Sequence, residues 1–160
     1  GGPNRGRVLD FAVRTYRRAL DLAPSEAVRL RHARSLLAAE RVGEAVPILQ
    51  RLREGAADRD VRYMATLFLA SAHQKRGQYG DAAAAYEGAL ALEPGCQTAR
   101  VGLGAVLALQ GRATEAARVA AGLESRNVEC DDPWWGYRFG PPLAQRAQLL
   151  LTLRRAAMPQ

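Results

Sequence analysis

The residues of this 160-residue chain whose types could do chemistry are His32, His73, Cys96, Cys130, the Asp131–Asp132 pair and the glycines at 102, 104 and 111. An imidazole titrating near neutral pH is the commonest general base. His32 and His73, however, stand 41 positions apart, in different helical stretches, with no nucleophile paired to either. A structural or catalytic zinc needs three or four converging ligands, which two distant histidines and two lone cysteines do not supply. Adjacent carboxylates before Pro133 read as a turn rather than an acid–base pair. Gly102, Gly104 and Gly111 follow no strand, so they do not form a phosphate-binding loop. The sequence therefore predicts no catalytic residue, no metal site and no cofactor.

Charge sets the next bound. The chain has 23 basic and 16 acidic residues, a formal net charge of +7, and Lys75 is its sole lysine. An Arg- and Ala-rich chain almost without lysine carries the mark of high-GC codon usage, as in many bacteria, which weakens the charge as a nucleic-acid signature. Residues 1–62 hold 13 basic and 8 acidic groups, so the positive excess gathers near the start. That excess could attract an acidic partner, or it is a solvated face. No RNA-reading aromatic motif or DNA-binding motif accompanies it. No apolar run approaches the length of a membrane span and no signal peptide is visible. A native start would favour the cytoplasm. Gly1–Pro3 read as vector residue, and the chain reads as a piece of a longer protein.

The elements are helical. At 48% hydrophobic content the chain can bury a core, and no β-branched runs between turn residues suggest strands. A small residue followed four positions later by an aromatic recurs: Ala12–Tyr16 and Ala82–Tyr86. Ala12, Ala45, Ala82 and Ala116 are spaced by 33, 37 and 34 residues. A small residue where helices cross admits close backbones, and the aromatic one turn on fills the groove beside it. Gly77 and Gly111 suit the left-handed residue that ends a helix, with Glu40 at the matching place in a weaker copy. Pro24 and Pro94 stop helices. Ser25, Asp60 and Thr114 are candidate N-caps. Cys96 and Cys130 lie 34 residues apart, one period. Equivalent points on stacked helices sit about 8–10 Å apart or more, beyond the reach of a disulfide, so two thiols are expected.

The full copy, LASAHQKRGQYGDAAAAYEGALALEP over 69–94, resembles the tetratricopeptide repeat: Leu69, Ala70, His73, Ala82, Tyr86, Ala89 and Pro94 fall in its register. Thr66 stands where that family usually has Trp. The resemblance covers roughly residues 8–127. It implies an all-α, right-handed α-α superhelix of about three and a half helix pairs, at about 4–24, 25–57, 60–94 and 97–127. A non-enzymatic protein-interaction module follows by the same implication.

In that family the first helix of each pair lines a concave groove that binds peptides or helices. The matching positions here are Leu30, Arg31, Arg34 and Leu37; Met64, Leu67, Ser71, Gln74 and Lys75; and Thr98, Val101, Ala105 and Ala108. Family members that clamp a terminal carboxylate use Lys, Asn and Arg there. Leu67, Ser71 and Val101 depart from that, so a mostly apolar groove with arginines at one end is expected. It would suit a protein or peptide partner of some acidic character.

After Arg126 the pattern stops. An aromatic, Pro-rich loop over 128–141 holds Trp134, Trp135 and Tyr137, and an amphipathic capping helix is expected over 142–157. A solenoid must cover its last repeat, so the aromatics read as a plug. They equally suit a binding anchor. The rival readings of the whole are a peptide or small-molecule sensor attached to another domain, a secretion-type chaperone, and a nucleic-acid binder.

Overall fold

The computed structural model describes residues 3–121, 132–134 and 137, all in helices or the turns between them. Among the described residues seven helices follow one another: α1 (Pro3–Leu22), α2 (Glu26–Ala38), α3 (Val42–Gly55), α4 (Arg59–Lys75), α5 (Tyr79–Leu92), α6 (Gln97–Leu109) and α7 (Ala113–Ala121). Connections of three or four residues turn the chain back each time, so sequence neighbours pack as helical hairpins. Each helix lies against the next, and α2 also lies against α4. No strand occurs among the described residues. Cys130, Trp135 and the capping helix expected over 142–157 lie outside them.

The helix ends have identifiable causes. Ser25 caps α2, its Oγ accepting from the Val28 N–H at 3.2 Å. Asp58, not Asp60, caps α4, accepting from the N–H groups of Asp60 at 2.8 Å and Val61 at 3.4 Å. The carboxylate two positions earlier was the one free of the helix. Thr114 is likewise inside α7 rather than before it. At the far ends of α2, α4 and α6, Glu40 (φ 59°), Gly77 (φ 72°) and Gly111 (φ 77°) all adopt the left-handed conformation. In each case this lets backbone N–H groups return to the last carbonyls. Glu40 does so against the preference of a residue with a Cβ.

The core runs along the stack as a single cluster in which small residues dominate the crossings: Ala33, Ala45, Ala65, Ala70, Ala82, Ala89 and Ala99 are fully buried. The Tyr86 ring, on α5, is buried among three helices. Its hydroxyl donates to Gln74 Oε1 on α4 at 3.3 Å, and its face lies where a Cβ on Gly102 of α6 would stand. Helix α4 contributes most to the core, because α2, α3 and α5 all pack on it.

Candidate functional site

Helices α2, α4 and α6 together hold Asp132, Trp134 and Tyr137. Asp132 is 2% exposed, and burying a carboxylate is costly unless it is well hydrogen-bonded. Its partners come from two helices and its own turn. The Tyr63 hydroxyl of α4 donates to Oδ1 at 3.2 Å, the Thr98 N–H of α6 donates to Oδ2 at 3.0 Å, and the Trp134 N–H donates to Oδ1 at 3.0 Å. The Thr98 N–H is one of the unpaired amides at the start of α6. That helix has no side-chain bond from its N-cap, Cys96, and no acidic residue in its first turn. Asp132 thus meets the positive end of a helix that lacks a cap of its own. Burial first, then the Asp132 carboxylate and Cys96 beside it, pushes the Tyr63 phenol far above its ordinary range, so it acts here as a donor.

The aromatic part rests on α4 and under α2. Trp134 and Tyr137, half-buried, both meet Phe68 edge-on, with ring centres 6.1 and 5.5 Å away, and lie nearly parallel to each other at 6.4 Å. Such edge-on contacts suit the ring quadrupoles. From α2, the Arg34 guanidinium sits 5.5 Å from the Trp134 ring centre and 5.3 Å from that of Tyr137, while Arg31 sits 4.9 Å from Tyr137. These are cation–π distances. Burial raises the Tyr137 phenol despite the opposing effect of the two arginines.

The expected groove residues divide. Arg31 and Arg34 lie over the aromatic pair. Met64 and Leu67 are 2% and 5% exposed and so do not line an open groove. Helix α4 is flanked by three helices, and its neighbouring positions Tyr63 and Phe68 are met by Asp132, Trp134 and Tyr137. Gln74 accepts from Tyr86, Ser71 is half-buried, and Lys75 pairs with Glu40 at 2.5 Å. Val101, 55% exposed, and Ala105 face solvent. They extend from Thr98 along one stripe of α6 at three- and four-residue spacing. Sequence reasoning missed Tyr63, Phe68 and Asp132. The first two belong to no motif that the sequence singles out, and Asp132 reads as part of a turn. The absent cap at Cys96 was the signal that a carboxylate from elsewhere was needed.

A separate cleft of about 570 Å³ opens between α1, α2 and α3, lined by Arg17, Asp21, Glu26, Arg29, His32 and Arg51 among others. His32 is 6% exposed and its Nδ1 has no hydrogen-bond partner among the described residues. Burial, with Arg17 and Arg41 nearby, holds its pKa below the ordinary value. His73 lies apart from it, its Nδ1 3.1 Å from Gln78 Oε1. Among the described residues no helix is long and apolar enough to cross a membrane.

No curated protein matches the chain significantly. A family model described as tetratricopeptide repeat matches residues 67–127, from the second half of α4 through α7 and six residues beyond. The copies around Ala12 and Ala45 lie before the matched stretch. Tetratricopeptide repeats generally mediate protein–protein interaction. Across residues 67–127 the chain is thus similar to the tetratricopeptide repeat family.

Proposed function

We propose that the chain is a non-enzymatic interaction module that takes a segment of a partner protein across the face made by α2, α4 and α6. One observation carries the reading: ordinary polypeptide, residues 132–134 and 137, is already held on that face by side chains or backbone of all three helices. The exposed stripe of Val101 and Ala105 continues the same surface along α6. An apolar stripe beside a seat for polypeptide is what a docking surface requires. Arg31 and Arg34 supply positive charge at the other end.

The test uses a photo-crosslinking residue placed at position 101 or 105, with a control at Glu54 on α3, whose side chain is 67% exposed. The module should trap discrete partner proteins at 101 and 105, and Arg34→Glu should abolish the trapping. Equal trapping at 54 would contradict the assignment.

A second reading, a small-molecule sensor, has the cleft between α1, α2 and α3 in its favour. Arg51→Glu should then block ligand response and leave the crosslinks at 101 unchanged.

A further inference from the structure

The contacts that hold Asp132, Trp134 and Tyr137 specify a chemistry. The start of α6 and the Tyr63 hydroxyl together present two donors to one carboxylate. A carboxylate is the group that the positive end of an uncapped helix selects. Two residues later an aromatic ring must reach Phe68 and Arg34, and three residues after that a second ring must stack beside the first under Arg31. The Trp134 N–H closes onto Asp132 Oδ1, and Pro133 fixes the backbone between them. The spacing is thus pre-set in the ligand as well as in the receptor.

The same contacts look exchangeable in kind. Trp134 and Tyr137 are only half-buried, and their contacts are edge-on rings and guanidinium faces rather than interlocked aliphatic packing. A tethered segment holds its site at an effective concentration of about a millimolar, which suffices for occupancy even when the intrinsic affinity is modest.

We infer that the face of α2, α4 and α6 is a reader of segments with an Asp-Pro-aromatic core and a second aromatic three positions on, and that Asp132, Pro133, Trp134 and Tyr137 are its resident ligand, which a partner of the same chemistry displaces. The inference rests on the interaction-module reading and adds the ligand class and its self-occupancy.

The test probe is the acetylated, fluorescent peptide Asp-Asp-Pro-Trp-Trp-Gly-Tyr-Arg, the sequence of residues 131–138, titrated into the full chain. The Trp134→Ala chain, its own segment weakened, should bind the peptide at least tenfold more tightly than the unaltered chain. Adding Arg34→Glu should remove that binding. A peptide with Asn in place of its second Asp should bind at least tenfold more weakly. A dimer of the unaltered chain that the peptide dissolves would identify the partner as a second copy and would support the inference. If Trp134→Ala keeps its helical circular dichroism and shows no peptide affinity, the segment is a fixed cap and the inference is overturned. Loss of helical signal in that variant, and also in the milder Tyr137→Leu, overturns it too. Crosslinks at 101 that persist when peptide binding fails would leave the interaction-module reading standing alone, so the two failures are distinguishable.

Discussion

The Tyr86 ring occupies the space that a side chain on Gly102 would need: a Cβ there would lie 2.3 Å from Tyr86 Cε1 and 2.4 Å from Cζ. Real carbon contacts do not come so close, and the ring is held by burial and by its bond to Gln74. Gly102 is therefore the seat on α6 for the aromatic of the preceding helix pair.

Two opposing terms decide the effect of Gly102→Ala. Alanine gains about 1 kcal/mol of helix propensity, while overpacking costs about 1–3 kcal/mol. The variant should be less stable by urea unfolding. Tyr86→Ala should cost about 3–5 kcal/mol. Made in the Tyr86→Ala background, Gly102→Ala should become neutral or stabilising, because the clash is gone. Additivity of the two changes would show that the ring does not rest on Gly102.

Glu40 carries the left-handed conformation that Gly77 and Gly111 carry at equivalent helix ends. A residue with a Cβ pays about 1–2 kcal/mol there. Its exposed ion pair with Lys75 is worth about 0–1 kcal/mol. Glu40→Gly should therefore raise stability by about 0.5 kcal/mol or more. Glu40→Gln, which removes only the charge, should leave it level or slightly lower. A fall in melting temperature for Glu40→Gly would show that the ion pair outweighs the backbone.

His32 should make stability depend on pH. Burial, with the Arg17 and Arg41 charges, depresses its folded pKa, against the weaker effects of Glu44 and the Val13 carbonyl. The unfolded chain takes a proton near the ordinary value of 6.5, while the folded chain resists it. Stability is thus complete above that pH and is lost as pH falls through the depressed folded value. The melting temperature should drop between pH 7.5 and 5. His32→Leu should flatten that drop. Parallel profiles for the two proteins would assign the pH dependence to other groups.

Leu67 and Val101 were read alike from sequence and should behave oppositely. Leu67→Glu places a charge in a core position, 5% exposed, and should prevent cooperative folding. Val101→Glu changes a residue that is 55% exposed and should move stability by no more than about 0.5 kcal/mol. Thermal unfolding of both variants checks the assignment. A folded Leu67→Glu protein would return that residue to an open surface.

The repeat was legible because it is local. Ala82, Tyr86 and Gly77 announce crossing, groove-filling and helix end by residue type alone, and all three lie within the matched stretch. Glu40 shows the limit of type: its left-handed backbone was visible only through its place in the period. The site was less legible because it is assembled from distant parts. The missing cap at Cys96 signals that some carboxylate is needed, but nothing near it in sequence says that Asp132 will meet the amide of Thr98. Met64 and Leu67 have the spacing of a groove face, and helical period cannot say whether such a face is roofed.

The central claim is that α2, α4 and α6 hold an acidic–aromatic segment through specific contacts, and a double-mutant cycle tests it most directly. Arg34→Ala, Trp134→Ala and the double variant are compared by urea unfolding. The 5.5 Å approach of Arg34 to the Trp134 ring predicts a coupling energy of about 0.5–2 kcal/mol. Strictly additive effects, with no coupling, would mean that the segment is not recognised by this face and would contradict the account.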